Sequence, residues 1–213
     1  MPDQTVQTIL CYGDSNTWGY DPASSRRFPS DVRWTGVMGR ELGDGYRVIE
    51  EGLNGRTTRW DDPIEPGRNG TSYLAPCLES HQPLDMVLIM LGTNDLKQRF
   101  NLSASDIAES AGALAGIAKR VAQNAAGQPP HVLLVAPPAI TTLTDFDEMF
   151  AGAEPKSRLF SRYYRLAAGW HGVSFFDAGS VIESSPLDGI HFEAGAHRIL
   201  GQALASEVRS AFA

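Results

Sequence analysis

Cysteine is scarce in this chain: its 213 residues hold two, Cys11 and Cys77. Two thiols cannot build the framework of a disulfide-stapled domain, and no bridge between them is expected. Cys11 falls inside an apolar run and reads as a buried, inert thiol. Positive charge is also in deficit, with 18 Lys and Arg against 25 Asp and Glu and a formal net charge of −7. No Lys/Arg cluster offsets that balance, which excludes a general nucleic-acid surface and gives no basis for attraction to an anionic membrane. No apolar run approaches the ~20 residues that span a bilayer. Residues 1–10 lack both the basic start and the apolar stretch of a signal peptide. The expectation is a soluble cytoplasmic protein with no membrane or nucleic-acid partner.

Sequence motifs are missing too. Neither a Walker A loop nor Gly-x-Gly-x-x-Gly follows the first apolar run, which counts against phosphate or dinucleotide binding. The Gly-x-Ser-x-Gly elbow of α/β-hydrolases is absent. There are no internal repeats, low-complexity tracts or interdomain linkers, and 213 residues fit a single domain over 1–213.

What is present is a recurrence of five short apolar runs, at 6–12, 46–50, 86–91, 131–136 and 173–176. Apolar runs without alternation read as strands covered on both faces, as in parallel sheets. Helical patterns lie between them, near 31–42, 71–81, 105–125 and 156–169, and a last one near 193–211. That last pattern places Ala196, Ile199, Leu200, Ala203, Leu204 and Val208 on one stripe. Ser103 to Asp106 has the form of a capping box. Strand alternating with helix predicts a three-layer α/β/α sandwich around a five-stranded, mostly parallel sheet. Right-handed crossovers then bring the loops after each strand to one edge of that sheet. Two of the loops are long, 52–70 and 137–155, and loops of that length line sites, form lids or make subunit contacts.

Four strand-end loops carry reactive or polar groups. The first run ends at Gly13-Asp14-Ser15, which places a hydroxyl on a sharp turn as a candidate nucleophile. The third ends in Gly92-Thr93-Asn94-Asp95, where Asn94 either points a side-chain amide at an oxyanion or makes an Asx-turn. The second ends in Gly52-Leu53-Asn54-Gly55, whose glycines leave backbone N–H groups open as a further donor, or form a plain loop. After the last run comes Asp188-Gly189-Ile190-His191. A turn at Gly189 lets Asp188 reach Nδ1 of His191, leaving Nε2 free to take a proton from a serine. All four loops are expected on the same edge of the sheet.

Taken in order, these residues resemble the SGNH (GDSL) hydrolases, serine esterases with a flavodoxin-like sheet. GDSNTWGY, DVRWTG, VIEEGLNGRTT, IMLGTNDLK, FFDAGSVI and DGIHF are similar to the bacterial arylesterase/acyltransferase subgroup. The resemblance implies Ser15 as nucleophile, His191 as base and Asp188 as its orienting acid. It implies an oxyanion hole from the N–H groups of Ser15 and Gly55 and the side chain of Asn94, with Gly52 the second choice for the backbone donor. It implies hydrolysis of short acyl esters, aryl or alkyl, with acyl transfer to alcohols or peroxide in some members. It further implies a small-molecule ester substrate, no cofactor, and a homo-oligomer with a narrow apolar site. Asn16 departs from the leucine that family members carry after the serine.

Further expectations attach to single residues. Asn16 and Trp18 are candidates for the substrate pocket, and Trp18 equally fits core packing. Trp34 and Trp60 are assigned to an access route or a subunit contact, and Trp170 to the core. His197 is placed toward solvent or the flank of the sheet. His81, His131 and His171 receive no catalytic role, and no metal site is expected. Asp14 and Asp95 are read as holding their turns through backbone hydrogen bonds. Two alternatives stand beside the esterase. One is a carbohydrate O-deacetylase whose 52–70 loop binds polar substrates through Arg56, Arg59, Asp61 and Asp62. The other is a non-catalytic flavodoxin-like binding module.

Overall fold

The apolar runs need cover on both faces; the three central strands receive it, and the two edge strands stay partly exposed. A computed structural model describes residues 6–213. Residues 1–5, half of the stretch read for a targeting signal, lie outside the described residues. The strands are β1 (Gln7–Gly13), β2 (Tyr46–Gly52), β3 (Met86–Met90), β4 (His131–Ala136) and β5 (Ser174–Asp177). They form one sheet in the order β2-β1-β3-β4-β5, and every neighbouring pair is parallel rather than most of them.

Alternate side chains serve opposite layers. Leu10 and Tyr12 of β1 pack with Val87 and Ile89 of β3 against α3 (Gly70–His81), α4 (Ala104–Val121) and α6 (Phe160–His171). Ile9, Cys11, Leu88 and Met90 face α2 (Trp34–Leu42) and α7 (Ala194–Ala211) on the other side. Removing side chains of this size from water contributes about 1.5–3 kcal/mol each, and that burial holds the three layers together. Cys11 and Cys77 are both buried and free. No helix among the described residues is long and apolar enough to cross a membrane.

Helix boundaries depart from the sequence reading where local polar groups compete with the helix. The capping box forms at Ser103 and Asp106, but α4 stops at Val121 instead of running to 125. Just beyond it, the Asn124 side chain accepts the N–H groups of Ala126 and Gln128, offering the backbone a turn instead. The pattern at 156–169 divides into α5 (Ala153–Ser157) and α6.

The tryptophans and α7 also differ from expectation. Trp34 opens α2 inside the core at 1% exposure, whereas Trp170 stands out from α6 at 71%. On α7 the buried stripe is His197, Leu200, Leu204 and Val208, and Ile199 is exposed. His197 is therefore an interior residue. Its Nδ1 accepts the Trp34 backbone N–H at 3.2 Å, capping a helix whose own N-cap, Arg33, makes no side-chain capping bond. Burial, reinforced by the nearby Arg33 charge, pushes its pKa down to about 4, which keeps the imidazole neutral and able to accept.

Candidate active site

The strand order reverses at β1, so the carboxyl ends of β1 and β3 border the crevice where open α/β sheets bind ligands. Gly13 and Met90 are register partners at those ends. The chain leaves β1 into α1 (Ser15–Trp18), a single helical turn. A side chain at Gly13 has no room, because a Cβ there would lie 2.0 Å from Thr17 Oγ1 and 2.9 Å from the Met90 carbonyl oxygen. The Asp14 carboxylate caps the turn by accepting the Asn16 N–H at 2.9 Å, which leaves Ser15 at its first position.

The loop before α7 supplies the partner groups. Gly189 takes a left-handed φ of 81°, and Asp188 Oδ1 then accepts the N–H groups of both Ile190 and His191 at 2.9 Å. Its other oxygen lies 2.6 Å from His191 Nδ1, and His191 Nε2 lies 2.9 Å from Ser15 Oγ. Burial acts to raise the Asp188 pKa, but the bonds from the His191 ring and the two backbone N–H groups outweigh it. The carboxyl is thereby held below its usual range. A carboxylate, an imidazole and a hydroxyl in line can move a proton from Ser15 to Nε2 and stabilise the resulting charge.

Gly55 and Asn94 join Ser15 around one cavity of about 180 Å³. Gly55 adopts a φ of 77°, a conformation other residues resist, which turns the loop after β2 toward the serine. Gly52 ends β2 and does not line the cavity. The Asn94 amide begins a one-turn helix after β3 and donates to the Arg56 carbonyl at 3.2 Å, tying its loop to that of Gly55. Asp14 and Asp95 are buried beneath this arrangement; Asp14 holds its own turn as expected, whereas Asp95 instead ties its loop to the one after β2. Asp95 accepts the N–H and the hydroxyl of Thr58.

The walls of the cavity differ from the sequence reading. Trp18 and Asn16 do not line it; Arg27 lies over the Trp18 ring at 5.0 Å, and Asn16 is buried behind Ser15. The apolar wall comes from Tyr20, Phe146, Met149, Phe150 and Ile190. The Tyr20 ring packs against His191 at a tilt of 34°, with centroids 4.2 Å apart. Phe146, Met149 and Phe150 belong to the 137–155 loop, whose length was the one sequence signal for them.

A polar wall, also unanticipated, is made by Glu65 and Lys97. Lys97 Nζ sits 2.8 Å from Glu65 and 3.5 Å from Asp62, and Arg99 bonds Asp62 at 2.7 Å. The four 52–70 residues assigned to polar recognition lie elsewhere. Arg56 is buried with its guanidinium 4.1 Å over the Tyr12 ring, Asp62 is buried in the ion cluster, and Arg59 and Asp61 are exposed away from the cavity.

Comparison with known proteins identifies the family and the fold. The sequence profile of the GDSL-like lipase/acylhydrolase family matches residues 11–199. No curated protein matches the chain. Among solved structures, the native aryl esterase of M. smegmatis is 46% identical with a TM-score of 0.92, covering 96% of this chain and 99% of that one. Est24, a carbohydrate acetylesterase from Sinorhizobium meliloti, is 43% identical with a TM-score of 0.92 over the same shares. A second carbohydrate acetylesterase family member from Sinorhizobium meliloti is 38% identical, with a TM-score of 0.91 over 96% of this chain and 98% of that one.

Proposed function

The chain belongs to the GDSL-like lipase/acylhydrolase family, and on that premise we propose a serine esterase that hydrolyses short-chain acyl esters through an acyl-enzyme on Ser15. The observation that carries the reading is the position of His191, between Ser15 Oγ at 2.9 Å and the Asp188 carboxylate at 2.6 Å. Ser15 Oγ attacks the ester carbonyl carbon while His191 Nε2 takes the hydroxyl proton. Asp188 keeps the remaining ring proton on Nδ1 and stabilises the imidazolium.

Negative charge on the former carbonyl oxygen meets the N–H groups of Ser15 and Gly55 and the Asn94 amide. His191 returns its proton to the departing alcohol, leaving the acyl group on Ser15. Water, activated by the same imidazole, releases the acid and restores the serine. An alcohol or peroxide taking the place of water gives acyl transfer. A cavity of about 180 Å³ is below the roughly 300–1,000 Å³ of sites for larger ligands, which favours a short acyl group.

Phenyl acetate turnover tests this directly. Wild-type protein hydrolyses it and is labelled stoichiometrically by an organophosphonate, and Ser15→Ala does neither. Retained turnover in Ser15→Ala contradicts the assignment. A carbohydrate O-deacetylase is the second reading, favoured by Glu65 and Lys97 in the cavity wall. Relative rates on phenyl acetate and an acetylated sugar decide between them. A cytoplasmic location and a homo-oligomer complete the proposal; the exposed Trp60 and Ile64 on the 52–70 loop support the oligomer, and light scattering on the eluting protein reads its mass.

A further inference from the structure

Away from the cavity, edge strand β2 and helix α3 bring together three side chains that the esterase reading does not use. Cys77 and His81 stand four residues apart on α3, on one face of the helix. Glu51 reaches them from β2, the residue before the strand's last. One donor atom from each residue lies within 4.8 Å of the other two, and His81 Nε2 is 2.9 Å from Glu51 Oε1. We propose that Glu51, Cys77 and His81 form a binding site for one thiophilic divalent cation of the zinc class.

The donor set carries this assignment. A thiolate, an imidazole nitrogen and a carboxylate oxygen together suit zinc and its close relatives, whereas calcium and magnesium take oxygen donors. Tetrahedral zinc with ordinary bond lengths separates such donors by about 3.3–3.6 Å. The donor atoms here lie within 4.8 Å of one another, with the His81–Glu51 pair at 2.9 Å, so their spacing brackets that range. Cys77 is buried, while His81 and Glu51 keep side-chain exposures of 29% and 20%. The entry path and the fourth coordination position therefore lie on their side, open to water.

Proton balance fixes how binding proceeds. Cys77 gives up its thiol proton to solvent, and His81 presents Nε2 with its ring proton on Nδ1. Burial first, and then the Glu51 charge, push the thiol up to about 12, while Arg56 opposes them. Tyr73 and Tyr12 are further titratable neighbours of the thiol. A cation replaces the proton that Cys77 otherwise retains, so affinity rises with pH. Arg56 also links this site to the cavity, since its guanidinium donates to the Glu51 and Gly13 carbonyls and its own carbonyl holds Asn94. Occupancy clamps β2 to α3 beside that link.

The test is binding of cobalt(II) and zinc to the chelator-treated whole chain. Cobalt should produce a near-ultraviolet sulfur-to-cobalt charge-transfer band that saturates at one ion per chain. His191→Ala should retain the band, and Cys77→Ser should lose it. His81→Ala and Glu51→Gln should each weaken binding by about tenfold or more. Zinc should raise the melting temperature of the wild type and not of His81→Ala. Should Cys77→Ser fail to fold, the other two variants decide. Absence of a thiolate band at saturation, a band that persists in Cys77→Ser, or zinc binding lost only in His191→Ala each overturn the proposal.

Discussion

The side-chain amide of Asn16 donates to the Ile190 carbonyl across 3.3 Å, joining the residue after Ser15 to the residue before His191. Asn16 is buried, and the two residues it connects are 174 positions apart in sequence. In a pocket wall it would act on substrate binding. As a tie between the two reacting side chains, it acts on their alignment instead. A hydrogen bond of this kind is worth about 1 kcal/mol, a factor of roughly five in rate. Asn16→Leu should therefore lower kcat on phenyl acetate several-fold with little change in KM. A raised KM at constant kcat returns Asn16 to the pocket wall.

Asn94 occupies the corresponding turn after β3, with its amide donating to the Arg56 carbonyl while it lines the cavity. An oxyanion donor matters most when the carbonyl oxygen gains charge. Asn94→Ala should reduce kcat by roughly 10²–10³ with KM nearly constant. A loss under about threefold makes Asn94 a residue that only shapes its turn.

Features set by local rules were legible in the sequence. The five strands follow from runs that need cover on both faces. The turns at Ser15, Asn94 and Asp188-His191 follow from glycine and short polar residues at strand ends. The cavity wall was not legible, because Tyr20, Lys97 and Phe146 come from separate loops that only the folded chain brings together. The placements of Trp34 and Trp170 failed for a related reason, since the phase of a helix decides which side of it meets the core. On α6 the buried positions are Phe160, Tyr164, Ala167 and Ala168, and Trp170 lies off that stripe. Trp34→Ala should cost about 3–5 kcal/mol in urea unfolding. Trp170→Ala should stay within about 0.5 kcal/mol of the wild type. Equal losses contradict the two placements.

The ion cluster at the polar wall makes a separate prediction. The side chain of Asp62 is fully enclosed and faces both Lys97 and Arg99, while Lys97 is itself almost wholly buried. Removing one partner leaves an uncompensated charge inside the protein, a loss of about 3–5 kcal/mol where no other counter-charge remains. Glu65 still pairs with both cations, so Asp62→Asn should fall near or below the lower end of that range. Because Lys97 lines the cavity, the same variant should also change the ratio of rates on phenyl acetate and an acetylated sugar. Wild-type stability together with an unchanged ratio removes the cluster from both roles.

Two buried carboxyls under the site give stability an unusual pH dependence. Burial raises the Asp95 pKa to about 7, against the lowering effect of the Thr58 bonds, and raises that of Asp14 to about 6. In the unfolded chain both titrate near 3.8, the ordinary value of an aspartate. Between those values the folded protein keeps protons that the unfolded chain has lost. This contribution is complete below about pH 4 and disappears as pH rises through about 6 for Asp14 and about 7 for Asp95. His197 works in the opposite direction, because the unfolded chain takes up a proton below about 6.5 that the folded imidazole refuses until about 4. The histidine offsets one of the two aspartates across that window, leaving a net decline in stability as pH rises toward 7. Asp95→Asn keeps a neutral side chain at every pH, so its unfolding free energy should fall less steeply than the wild type's between about pH 5 and 7. Parallel curves for the two proteins would mean that Asp95 is ionised in the folded state and that the Thr58 bonds prevail over burial.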